Sequence, residues 1–171
     1  MPKDNISLIG FMGSGKTTIG KMLANRIDYP FFDLDRIIEL SEVKTINEIF
    51  KSSGEAYFRE IESKVIKKVY SNTECIFACG GGVVLRRENM MIIRENSIVV
   101  YLEISTREAQ YRLKKTSDRP LIESGNRSKK IIDLFEDRSH LYKKYADITI
   151  HNEGSSAGST ITDILKKIKD I

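Results

Sequence analysis

Gly10-Phe11-Met12-Gly13-Ser14-Gly15-Lys16-Thr17-Thr18 fills the pattern Gly, four residues, Gly-Lys-Ser/Thr, with Gly10, Gly15, Lys16 and Thr17 at the defining positions. Glycines leave room for successive backbone N–H groups to face a concavity that holds phosphate oxygens, and a helix N-terminus adds a dipole that favours anions. Lys16 would reach the β- and γ-phosphates, and the Thr17 hydroxyl would ligate Mg²⁺. A Gly/Ser-rich stretch also serves simply to turn a chain, so the flanks decide. Before it, Ile6–Ile9 reads as a short strand; after it, Ile19, Met22, Leu23 and Ile27 recur at helical spacing. Strand, loop and helix together are the setting a nucleotide-binding loop requires.

The 171 residues suit one domain with a core that needs no disulfides. Hydrophobic content of 40% and charged content of 30% are ordinary for a globular protein. No stretch approaches the roughly 18 apolar residues of a membrane span. The segment before the first strand is too short and polar for a signal peptide, so a cytoplasmic protein with no membrane partner is expected. The net charge of +4 comes from Lys and Arg scattered among acids, without the aromatic-interleaved basic motif of a nucleic-acid binder. Cys75 and Cys79 flank a strand candidate that would hold them about 13 Å apart, too far for a disulfide. Neither they nor His140 and His151 form a zinc pattern, and both histidines read as surface residues.

Strand candidates recur at 6–9, 30–32, 75–79, 98–102 and 148–150. Helical periodicity fills 16–28, 35–40, 46–51, 55–70, 88–95, 106–115, 129–145 and 159–168. Such alternation predicts an α/β fold on a parallel sheet. Residues 36–70 exceed what a simple crossover needs and are read as a substrate-binding cap. Residues 116–128, rich in Ser, Gly, Asp and Asn around Arg119-Pro120, are read as a lid, with a plain connecting loop as the rival.

In a parallel sheet the strand C-termini share one crevice, so the residues after strands two and three should face the phosphate loop. After strand two comes Asp33-Leu34-Asp35, where strand alternation would send both carboxylates to one side. One would sit in the hydration shell of Mg²⁺ and the other would accept a hydroxyl proton; alternatively, Asp35 only caps a helix beginning at Arg36. After strand three, Gly80-Gly81-Gly82 makes either a tight turn or a close backbone approach to a small ligand. Arg59 and Glu62 share a helix face and, taken alone, read as a surface ion pair. Arg119 and Arg138 have the same surface alternative, although a carboxylate ligand calls for a bidentate guanidinium and a transferring phosphoryl group for a cation on a closing lid.

Taken in order, GFMGSGKTT, FFDLD ending at Asp35, INEIF from Ile46, GEAYFREIE from Gly54 to Glu62, CGGGVV around Gly80, DRPLI at Arg119 and the Arg138, Tyr142, Ala146-Asp147 stretch closely resemble the shikimate kinase family over nearly the whole chain. The resemblance implies a three-layer α/β/α P-loop kinase with a five-stranded parallel sheet in the order 2-3-1-4-5. It implies ATP-dependent phosphorylation of the 3-hydroxyl of shikimate, on the route to aromatic amino acids, with Mg²⁺ as cofactor and a monomeric enzyme. By the same resemblance, Gly13, Ser14, Gly15, Lys16, Thr17, Thr18, Arg112 and Arg119 bind nucleotide, with Arg112 stacked near adenine. Asp35, Arg59, Glu62, Gly80, Gly81, Gly82 and Arg138 bind shikimate, the two arginines on its carboxylate and Glu62 orienting Arg59 or a hydroxyl. Lys16, Asp35 and Arg119 are catalytic, Asp35 as base; Thr17 and, through water, Asp33 support the metal. Two departures stand out: Val43 replaces a frequent glycine in a turn, and His151–Ser155 lacks an arginine for the purine.

A related kinase of another polyhydroxylated acid, such as gluconate, fits the same carboxylates and arginines. A P-loop switch protein is the non-catalytic rival, but the Asn-Lys-x-Asp guanine signature is absent from the sequence.

Overall fold

The computed structural model describes residues 4–114 and 126–171. Among these, five strands form one parallel sheet: β1 (Asn5–Ile9), β2 (Phe31–Asp33), β3 (Ile76–Ala78), β4 (Ser97–Glu103) and β5 (Ile148–His151). Their spatial order is β2-β3-β1-β4-β5, as the resemblance implied. From β1 the chain crosses to β2 on one side, and from β3 it crosses back over β1 to β4. The C-terminal end of β1 is therefore the switch point, where an open parallel sheet leaves a crevice for ligands.

Alternation along each strand sorts the apolar side chains into two layers. Ile6, Leu8, Ile76, Val100 and Leu102 pack with Ile19 and Leu23 of α1 (Lys16–Ile27) and with Ile161 and Ile164 of α7 (Ala157–Lys169). Ile9, Phe77, Val99 and Tyr101 face the other way, onto α3 (Ile46–Val69), α4 (Arg87–Asn96) and α6 (Arg127–Tyr145). Because both faces are covered, the strands read as continuous apolar runs, which is why sequence located all five.

The cap region is α2 (Leu34–Glu42) followed by α3. Thr45 starts α3 with a reciprocal capping box: its hydroxyl accepts from Glu48 N at 3.2 Å, and Glu48 Oε2 accepts from Thr45 N at 2.7 Å. At Gly54 the backbone leaves the helical region (φ 82, ψ 172), so α3 is two helical segments, matching the separate periodic stretches at 46–51 and 55–70. The chain after β3 makes a 3-10 turn over Val83–Leu85, which the periodicity did not reveal. α5 (Thr106–Leu113) precedes the undescribed segment, and α6 begins at Arg127, two residues before the periodic pattern. The lid reading at 116–128 thus falls largely outside the described residues, as does Arg119; Arg127 and Ser128 belong to α6.

Val43 ends α2 in the left-handed region (φ 53, ψ 36) with its side chain 89% exposed. A β-branched residue pays the full steric penalty there and recovers no packing. Val43→Gly is expected to add about 1 kcal/mol of stability, which for a chain of this size is about 2–4 °C in Tm. Thermal unfolding followed by circular dichroism checks this; an unchanged or lower Tm would show that the turn is not strained.

Candidate active site

Gly10–Thr18 joins β1 to α1 at the switch point. Phe11 fixes the loop from below, fully buried and edge-on to Phe135 of α6 at 5.2 Å. Gly15 is the N-cap of α1 at φ 92, a conformation that a side chain at this position would resist. Lys16 Nζ arches back to donate to the Gly10 and Phe11 carbonyls at 2.8 and 2.9 Å, so its ammonium lies over the loop.

Two braces hold the outer side of this loop: Asn152, to which sequence assigned no role, and Arg112, read from the resemblance only as an adenine contact. Asn152, buried at the end of β5, donates from Nδ2 to the Ser14 carbonyl at 2.7 Å and accepts from the Thr160 hydroxyl of α7 at 2.8 Å. Arg112 of α5 donates to the Gly13 carbonyl at 3.1 Å and to the Asn152 carbonyl at 2.9 Å, while Glu108 holds its Nε at 2.6 Å. Nothing in the sequence near Asn152 signals a contact made 138 positions away.

Thr17 donates its hydroxyl to Asp33 Oδ2 at 2.7 Å. Asp33 and Asp35 do not lie together on a strand, contrary to the expected alternation. β2 ends at Asp33, which is itself the N-cap of α2, accepting from Arg36 N at 3.3 Å; Asp35 lies in the first helical turn and is not the cap. Both carboxylates nonetheless reach the phosphate-loop cavity, which is lined by Gly13, Gly15, Lys16, Thr17, Thr18, Asp33, Asp35 and Gly81. They meet there at the junction of an extended N-cap residue and the first turn of α2, not on one face of a strand. Cys79 also reaches this cavity, but burial pushes its thiol up to about 12, which leaves it protonated and inert. Both cysteines are free and buried.

A second cavity adjoins the first. Met12, Phe50 and Phe58 give it an apolar wall, and Asp35, Arg59, Glu62, Gly80, Gly81, Gly82 and Arg138 supply its polar groups. Asp35, Met12 and Gly81 line both cavities. The Arg59–Glu62 pair is not on the surface: the side chains are 9% and 1% exposed, with Nη1 donating to Glu62 Oε2 at 3.0 Å. Nη2 of Arg59 donates to Glu55 Oε1, also at 3.0 Å. Burial pulls the Arg59 pKa down, but its two carboxylate partners more than reverse that and leave it raised. Burial pushes the Glu62 carboxyl up, with Arg59 opposing. Among the described residues, Glu62 Oε1 has no hydrogen-bond partner.

Gly82 explains one part of the glycine run. A Cβ there would come within 2.2 Å of Arg59 Nη2, and Arg59, held by two carboxylates, has little freedom to yield. Arg138 of α6 is buried across the cavity, and its pKa is lowered by burial and by the like charge of Arg59. Tyr142, one turn further along α6, hydrogen-bonds Arg138, donates to the Gly81 carbonyl and stacks on Tyr101 at 5.2 Å. Sequence offered no role for Tyr142, which ties the arginine to the glycine turn.

The sequence pattern of the shikimate kinase family matches residues 12–169. The chain belongs to the shikimate kinase family. A shikimate kinase from Dehalococcoides mccartyi is 42% identical over 171 residues, covering 98% of this chain and 97% of its own length. The structure of the Acinetobacter baumannii shikimate kinase in complex with shikimate superposes with a TM-score of 0.94 at 34% identity, covering 98% of this chain and 93% of that one. A deoxyadenosine kinase from M. mycoides, 20% identical and covering 98% of this chain and 100% of its own, shares the fold with a TM-score of 0.64. Family membership makes this chain an ATP-dependent kinase.

Truncating the loop brace tests its contribution. Asn152→Ala leaves the Ser14 carbonyl and the Thr160 hydroxyl without that partner, so a loss of about 1–3 kcal/mol of stability is expected. KM for ATP should rise while KM for the acceptor stays put. Wild-type stability together with a wild-type KM for ATP would show the brace to be idle.

Proposed function

We propose that this enzyme transfers the γ-phosphoryl group of ATP to the 3-hydroxyl of shikimate, giving shikimate 3-phosphate and ADP in aromatic amino acid biosynthesis. The observation that carries the reading is the shared wall. Asp35 borders both the phosphate-loop cavity and the cavity holding Arg59 and Arg138, so one carboxylate stands between donor and acceptor.

In this reading Gly13, Ser14, Gly15, Lys16, Thr17 and Thr18 cradle the phosphates, and Arg112 faces the adenine. Arg59 and Arg138 take the shikimate carboxylate, their guanidiniums suited to bidentate recognition. Glu62 orients Arg59, and its second oxygen is available to a substrate hydroxyl. The turn at Gly80, Gly81 and Gly82 lets the ring approach the backbone, and Met12, Phe50 and Phe58 pack on its apolar side. Asp35 accepts the 3-hydroxyl proton as that oxygen attacks the γ-phosphorus in line and the bond to the β-phosphate oxygen breaks. Lys16 stabilises the charge that spreads over the transferring group, joined by Arg119 from a lid at 116–128. Catalysis comes from position and charge, since phosphoryl transfer asks little covalent chemistry of the protein.

The Thr17 hydroxyl and Asp33 carboxylate are hard oxygen donors 2.7 Å apart beside the phosphate cavity, a pair suited to Mg²⁺. Among the described residues no cluster of three or more His, Cys, Asp and Glu could hold a metal alone, in keeping with an ion that takes its other ligands from phosphate and water. When bound, Mg²⁺ neutralises phosphate charge. The cap is assigned to residues 36–70 of a single domain, and the enzyme to the cytoplasm as a monomer without nucleic-acid partners. Among the described residues no helix is long and apolar enough to cross a membrane.

The test is ADP release from ATP and Mg²⁺ with a panel of hydroxy acids including gluconate. Strong stimulation by shikimate alone is expected, and none by shikimate would sink the reading.

A further inference from the structure

Two carboxylates hold Arg59 and a third, Asp35, lines the same cavity, and the three are not equivalent. Glu62 is buried beneath Arg59, held on Nη1 with its side chain 1% exposed. Asp35 belongs to the wall shared with the phosphate cavity. Glu55 is different: its side chain is 46% exposed, yet its Oε1 receives both Nη2 at 3.0 Å and Nε at 3.3 Å, the outward fork of the guanidinium. That is the edge an incoming carboxylate would engage bidentately. Glu55 also acts on Arg138, where its charge offsets part of the lowering that burial and Arg59 impose. A carboxylate of the chain thus occupies the outward edge of Arg59, and its charge is felt at Arg138.

We propose that Glu55 is a resident carboxylate that the carboxylate of shikimate displaces, so that capture of the acceptor is an exchange of one carboxylate for another. This rests on the reading of Arg59 and Arg138 as the shikimate clamp. The charge balance supports it. With Glu55 in place, two guanidiniums face Glu55 and Glu62; after exchange, the same two face Glu62 and the substrate, and no buried cation is left uncompensated at either stage. The structure also favours Glu55 as the group that leaves. It is half exposed, so it reaches solvent by changing rotamer, and it directly follows the Gly54 break, at the start of the second segment of α3. A carboxylate released there remains beside a helix N-terminus, where negative charge is favoured. Glu62, fully enclosed, has no such exit.

The consequence is selectivity. An acceptor without a full negative charge cannot compete with Glu55 for the fork, so neutral analogues are rejected by an occupant already in place rather than only by a missing contact. Removing the Glu55 charge should therefore tighten binding of shikimate, opposite to what a supporting residue would do.

Calorimetric titration of wild type and Glu55→Gln with shikimate and with shikimate methyl ester tests this. Glu55→Gln is expected to bind shikimate about three- to five-fold more tightly, the scale of a half-exposed ion pair, and the ester, no longer excluded by the occupant, should bind more tightly as well. In turnover, KM for shikimate should fall while kcat holds. Equal or weaker shikimate binding by the folded variant overturns the exchange and makes Glu55 a support for Arg59. Should the glutamine variant not fold, Glu55→Ala keeps the helix propensity and gives the same readout. A wild-type enzyme that binds the ester as tightly as shikimate would instead overturn the clamp itself, and the exchange with it. A large preference for the acid with no gain in Glu55→Gln would leave the clamp standing and reject the exchange.

Discussion

Asp35→Asn is expected to lower kcat by about 10²–10⁴-fold while nucleotide binding is retained. The substitution keeps the side chain's size and removes its negative charge and its ability to accept a proton. The size of the effect follows from placement. Asp33 lines the phosphate cavity alone, and its two oxygens already receive the Thr17 hydroxyl and the Arg36 N–H. Asp35 lines both cavities, so its carboxylate is the one that can meet an acceptor hydroxyl on one side and a phosphoryl group on the other. On the proposed reading ATP affinity rests on the loop backbone, Lys16 and Thr17 rather than on Asp35. Steady-state ADP release and calorimetric titration with a non-hydrolysable ATP analogue separate the two effects. Turnover near wild type would remove Asp35 from the base role, whereas loss of nucleotide binding would make its role structural.

Much of the sheet was legible because its strands are buried on both faces and stand out as short apolar runs between helical patterns. The same fact limits what those patterns say about a site. Periodicity places a residue on a face of its own element and says nothing of which other element will face it. Arg59 and Glu62 were visible as an i, i+3 pair, but burial turned a surface pair into a cavity wall, and that came from packing. Tyr142 meets Gly81 across 61 positions, and Asn152 meets Ser14 across 138, so no local window contains either contact. Asp33 and Asp35 show the subtler case: an argument from strand period reached the right cavity although a helix begins between them. Two residues bridging a strand end and a helical first turn can point together as readily as two on one strand face. The departure at Val43 was legible as a change of turn, and its strained conformation follows from its being where a glycine is favoured.

Arg138→Met is expected to raise KM for shikimate by roughly 30-fold to a few thousand-fold, the range that follows from losing one partner of a buried, charge-assisted contact worth about 2–5 kcal/mol. Methionine keeps an unbranched apolar stem of similar reach, so the packing of α6 against the sheet survives and the lost quantity is the charge. Stability should move the other way. The Arg138 pKa is lowered by burial first and by Arg59 among its neighbours, which means its protonated form is held less well in the fold than in the unfolded chain. For a basic group with a depressed folded pKa, that cost is full at all pH values below the folded pKa and fades only as pH climbs through it. Arginine stays protonated across the working range, so the wild-type enzyme carries the cost throughout. Removing the charge should leave Tm at or above the wild-type value even as shikimate binding collapses, a trade expected where a buried cation is kept for ligand capture. Thermal unfolding alongside the KM measurement makes the claim a paired one. A variant with a lower Tm and unchanged KM would make Arg138 a structural residue of α6. A raised KM with an undiminished Tm is what a buried cation held ready for a carboxylate must give.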